Sequence, residues 1–202
     1  HQRIYGSAET ELLQNTLNIS RMALAKMAIS NSLFLNVNHT KRAGMMALQI
    51  LDGVLHHRGV VEPPLFFNLI LATLISHVGI VGGILEEDEV KPNQPAEKYY
   101  TGKGEYKSFV GPSSNSVLWP HYIERSLLFV DRNFRSLKNL NIEDVKSAIK
   151  FSDISSKSTA KEQTNFCHYV RSAHILAYMT QSQYNQWLVR LYRSLEEANL
   201  LD

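Results

Sequence analysis

The chain has 202 residues, 44% of them hydrophobic, with 21 Lys and Arg against 19 Asp and Glu and a formal net charge of +2. That length gives one domain with a sizeable core and is short for two. The near-balance of charge, with no block of one sign, excludes a nucleic-acid groove and a membrane-surface face, and the lone Cys167 excludes an internal disulfide and a cysteine-based zinc finger and fits a reducing, cytoplasmic compartment.

The start, His1-Gln-Arg-Ile-Tyr, has no basic segment leading into an apolar one and reads as no signal peptide. Leu12, Leu13, Leu17, Met22, Ala23 and Met27 recur at three- and four-residue steps and predict a first helix. Ala43, Ala47, Ile50, Leu51, Val54 and Leu55 predict a second, which Gly59 ends. Pro63-Pro64 then opens the most apolar stretch, Leu65 to Leu85. A membrane span needs roughly 20 mainly apolar residues. Asn68, Ser76, His77 and three glycines interrupt this one, so it reads as a buried core helix. After Pro120, Ile123, Leu127, Leu128 and Val130 predict a further helix. Ile142 to Phe151 is a shorter one, with Asn141 placed to cap it ahead of Glu143 and Asp144. Tyr169 to Met179 follows, and Tyr184, Trp187, Leu188, Leu191, Tyr192 and Leu195 form the last stripe.

One stretch, residues 86–120, resists this pattern. It holds four of the six prolines, and loops of that length are often lids. Lys98-Tyr-Tyr and Tyr106-Lys-Ser-Phe-Val are placed to pair as a short hairpin across Thr101-Gly-Lys-Gly. The expected architecture is therefore a single all-α domain over residues 1–202, with a loop or lid at 86–120 that carries this hairpin.

The chemistry rests on the eight histidines. His1 is terminal, and His56 and His57 suit the negative end of a helix dipole. His121 follows a proline at the expected surface, and His168 beside Cys167 is weak evidence for a nucleophile pair. No phosphate-binding glycine loop, His-Glu-x-x-His or Gly-x-Ser-x-Gly occurs. His39, His77 and His174 remain, each in or at the mouth of a predicted core helix. Spacing alone does not bring them together.

The stretch FLNVNHTKRAGMMALQIL resembles the opening motif of the HD superfamily of metal-dependent phosphohydrolases and cyclic-nucleotide phosphodiesterases. LATLISHVGIVGGIL resembles the helix that carries that family's His-Asp doublet, and HYIERSLLFVDRNF its intermediate His-x-x-Arg-Ser helix. YVRSAHILAYM resembles the helix that supplies the last metal ligand, and QYNQWLVRLYRSLEEANLL the closing one. The resemblance implies an HD-like helical domain, and it places His39 on the first metal ligand. It also shows departures. Ser76 stands for the doublet histidine and His77 for the doublet aspartate. His174 stands for the final aspartate, Leu35 for the accessory histidine and Tyr122 for the histidine of the intermediate helix.

Losing both aspartates removes the hard oxygen ligands that hold Mg²⁺ in a two-metal site. The replacements are histidines, and three imidazoles with an open position suit one divalent transition ion, Zn²⁺ or Fe or Mn. The expected metal ligands are thus His39, His77 and His174, with Ser76 at the edge of the site. Asp153 and Glu124 are the candidate general bases, with the acidic run Glu86 to Glu89 behind them. In one reading the altered site is catalytically impaired or metal-free, and the protein acts by binding a small phosphorylated ligand or a protein partner. In the other it is an active phosphohydrolase or phosphodiesterase built on a three-histidine ion. In a third it is an interaction module with a vestigial pocket.

Overall fold

A computed structural model describes residues 5, 9–89, 96–110, 114–135, 137, 140–153 and 164–201; His1 lies outside them. Among the described residues there are seven α-helices, two short 3-10 segments and one antiparallel hairpin. The helices are α1 (Thr10–Ile29), α2 (Val37–Arg58), α3 (Pro63–Ile75), α4 (Tyr122–Phe134), α5 (Ile142–Ser152), α6 (Asn165–Met179) and α7 (Tyr184–Glu197). The all-α expectation with a hairpin holds.

Helix α3 is the axis of the core. Nine of its 13 residues are buried, so it is apolar all round rather than on one stripe. Helices α1, α2, α5 and α6 all pack against it. Its polar Asn68 accepts from the Asn141 N–H at the start of α5 (3.3 Å). Pro63–Ile80 is long and apolar enough to cross a membrane, and 78% of it is buried inside the protein. Gly44 lets α2 approach closely, because a Cβ there would lie 3.0 Å from Leu74 Cδ2.

The caps follow local chemistry. Asn36 accepts from the N–H groups of Asn38 and His39 and starts α2. Gly59, at φ 73°, ends it with its N–H on the Leu55 carbonyl. Asn141 caps α5 as expected, accepting from the Asp144 N–H. Helix α6 begins at Asn165 and not Tyr169, because Thr164 caps it by accepting from the Cys167 N–H.

The apolar stretch after Pro63 is not one helix. α3 ends at Ile75, and a 3-10 turn, Val78–Ile80, follows. The Ser76 hydroxyl takes the Ala72 carbonyl at 2.6 Å, and α4 crosses the chain directly beyond. Gly79 marks the crossing, since a Cβ there would sit 2.1 Å from the Tyr122 carbonyl oxygen.

The hairpin pairs β1 (Ala96–Tyr100) with β2 (Tyr106–Val110), Tyr100 opposite Tyr106. Gly102 and Gly104, at φ 88° and 85°, supply the left-handed backbone of its turn. The hairpin is docked on α4. Arg125, fully buried, donates to both Asp88 carboxylate oxygens at 2.8 Å, and to the carbonyls of Gly79, Val81 and Tyr100. Asp88 also accepts from the N–H groups of Gly83, Leu85 and Tyr100. The acidic run is therefore not a solvated surface throughout. Its Asp88 side chain is wholly buried and closes this network.

Candidate metal centre

His39, His77 and His174 come together. They are 2%, 2% and 1% exposed, and one ring nitrogen from each lies within 4.8 Å of the others. Ring centroids are 4.3 Å apart for His77 and His174, 5.3 Å for His39 and His77, and 5.4 Å for His39 and His174.

Each is delivered differently. His39 is the third residue of α2, held by the Asn36 cap. His174 sits inside α6, which packs along α2. His77 lies beyond the end of α3 at φ −106°, ψ 8°, outside any regular helix. Ser126 of α4 fixes that turn: its hydroxyl donates to the Ser76 carbonyl (3.0 Å) and accepts from the Gly79 N–H (2.8 Å).

Aromatic rings wall the cluster. Tyr178 stacks on His39 at 4.3 Å with planes 14° apart. Phe34 packs in turn on Tyr178, Trp119 and Trp187. Tyr122 lies 5.4 Å from the His77 ring. This burial disfavours the charged form of each imidazole. It pushes His174 down to about 3, and holds His39 and His77 well below the usual histidine range, with the neighbouring imidazoles adding to it. Burial likewise raises the Tyr122 and Tyr178 phenols, the negative field of Asp153 adding to both.

The cluster is thus three neutral imidazoles, the form that donates a lone pair to a metal. His39 Nε2 and His174 Nδ1 are 3.2 Å apart. Two nitrogens on one tetrahedral Zn²⁺, at ~2.0–2.1 Å each, stand ~3.3 Å apart. His39 Nδ1, His77 Nδ1 and His174 Nε2 are buried with no hydrogen-bond partner. For His39 and His174 these are the ring nitrogens opposite the pair that faces across the cluster. No acceptor stands behind these rings among the described residues, which differs from the usual arrangement in which each ligand imidazole passes its second N–H to an oxygen.

Ser76 is buried beside His77, but its hydroxyl is committed to Ala72. Asp153 and Glu124 both line a cavity of about 760 Å³ whose wall includes Tyr122 and Tyr178, the rings that touch the histidines. Glu124 is tied to Lys103 of the hairpin turn at 2.6 Å. Leu35 is buried in the same wall. Cys167 is buried with the Thr164 hydroxyl on its sulfur, and the His168 ring lies against Phe151. His56 and His57 are exposed at the end of α2, as expected.

Three further contributors stand out only in the fold. Tyr178 follows His174 by four residues, a spacing that shares a helix face. Arg125 and Ser126 fall within HYIERSLL, and their role as the brace of the His77 turn comes from the crossing of α4.

A family profile described as Npun_R2479-like matches residues 1–201. The chain belongs to the Npun_R2479-like family. No curated protein matches this Npun_R2479-like chain, and no solved structure does.

Proposed function

We propose that this is an HD-like metal-dependent phosphohydrolase or phosphodiesterase whose single divalent transition ion is held by His39, His77 and His174. The observation that carries this reading is the convergence of three buried imidazoles whose ring nitrogens lie within 4.8 Å, His39 Nε2 and His174 Nδ1 standing 3.2 Å apart. Zn²⁺ fits the all-nitrogen donor set best, and Fe²⁺ and Mn²⁺ are the alternatives. A bound ion supplies Lewis acidity and lowers the pKa of coordinated water. Asp153 and Glu124 are the candidate general bases, both on the cavity that Tyr122 and Tyr178 wall. The buried free thiol of Cys167 suits a cytoplasmic setting.

The His39–His174 contact of 3.2 Å also matches a hydrogen bond between two neutral rings. It favours a second reading, in which the site holds no ion and the protein acts by binding a phosphorylated ligand or a protein. Elemental analysis of protein purified without chelator separates the two. We expect about one transition ion per chain, lost in His174→Ala and in His77→Ala while the helical circular dichroism is kept. Co²⁺ loading should give the visible bands of a nitrogen-rich tetrahedral site. Hydrolysis of p-nitrophenyl phosphate or its bis-ester should need that ion and fall about 10²-fold or more in Asp153→Asn. A metal-free protein that takes up no Co²⁺ would leave the binding-only reading.

A further inference from the structure

A second cavity, of about 370 Å³, is lined in part by His39. The start of α2 and the segment leading into α7 line it, and three of its residues are cations: Lys41, Arg42 and Arg190. No carboxylate is found among its described lining residues. Nor does any of the three cations form an ion pair among the described residues.

Like charges gathered without a counter-charge repel one another. The location sharpens this. The first turn of α2 carries no acid, and Lys41 and Arg42 follow at once. Arg42 spends one donor on the Thr180 carbonyl (3.2 Å), and a guanidinium has five. The polar side chains of Asn38, Gln183 and Gln186 line the cavity beside these cations. The pocket is thus rich in donors and positive charge and asks for an acceptor-only, multiply charged group.

We propose that this cavity receives the phosphate of a small phosphorylated ligand, held by Lys41, Arg42 and Arg190. A carboxylate carries one charge, which a single Arg fork satisfies. A phosphate monoester carries about −1.5 to −2 and three acceptor oxygens, which matches three cations better. The choice of phosphate rests on the phosphohydrolase reading above, whereas the cationic pocket itself involves no metal ligand except His39.

Calorimetric titration of inorganic phosphate tests this, at fixed ionic strength, into protein as purified, metal-stripped protein and the Lys41→Gln/Arg190→Gln variant. Both changed residues are exposed, and an unchanged melting temperature confirms the fold. The expected result is saturable phosphate binding in both wild-type samples, weakened about tenfold or more in the variant, with acetate far weaker. Phosphate binding that survives in metal-stripped protein and in His174→Ala upholds the pocket even if no ion is ever found. Binding that needs the ion and ignores the variant would assign the phosphate to the metal and overturn the proposal. Absence of binding, or acetate binding equal to phosphate, would overturn it too.

Discussion

Protonating His39, His77 or His174 places a charge in an aromatic-walled site with no carboxylate in the cluster. An unfolded imidazole titrates near ~6.5, whereas burial holds His174 down to about 3 and keeps His39 and His77 well below their ordinary range. Below pH ~6.5 the unfolded chain therefore binds protons that the folded one refuses. The stability tied to the neutral rings is fully present above that pH and is lost as pH falls toward the folded values. Between pH 7 and pH 5 the His174 ring removes roughly 2 kcal/mol, and His39 and His77 act in the same direction. Urea midpoints of metal-free protein should drop steeply over that interval, and His174→Met should flatten the slope. A midpoint constant from pH 7 to pH 5 would mean that the rings are not buried and neutral.

At the scale of elements, the position of His77 depends on how α3 breaks and α4 crosses. Gly79 is pressed between the Tyr122 carbonyl and the Ser126 N–H, both backbone, so neither yields to an added methyl at 2.1 and 2.6 Å. Gly79→Ala should cost about 3 kcal/mol or more and reduce metal uptake, because the turn that presents His77 must shift. Gly53→Ala is the matched control. It lies in an exposed part of α2 with nothing within 4 Å of the added Cβ, and it should stabilise by roughly 0.5–1 kcal/mol through helix propensity. Asp88→Asn belongs to the same joint. It leaves the Arg125 charge buried without its partner and should cost about 3–5 kcal/mol. Chemical denaturation measures all three, and equal effects of the two glycine changes would argue against a close-packed crossing.

For the whole molecule, the proposed ion joins three segments far apart in sequence, so its binding stabilises the fold as a unit. An ion that binds only the folded state adds ~2.7 kcal/mol at a hundredfold excess over its dissociation constant. For a chain of this size that is a rise in melting temperature of roughly 5–10 °C. Zn²⁺ added to metal-stripped protein should produce it at pH 7, and not in His174→Ala. An unchanged melting temperature in wild type would count against the centre as a metal site.

The sequence by itself determined where most of the helices lie, the Asn141 cap, the Gly59 stop and the hairpin, because these follow from short-range chemistry. Apolar periodicity, Asn141 ahead of two acids, Gly59 at a left-handed position and two glycines in the hairpin turn act within a few residues of themselves. It also singled out His39, His77 and His174, through polar groups set in apolar helices and through the resemblance of their segments to one family. Tertiary structure alone decided that their rings meet, since 135 residues separate His39 from the His174 it touches. It alone ended α3 at Ile75, where a crossing helix leaves no room for a further turn, and it alone turned Asp88 from one acid in a run into the buried partner of Arg125. It also set cations from α2 and α7 around one cavity. Long-range packing and the desolvation it imposes are sums over many distant contacts, and no local pattern of residues records them.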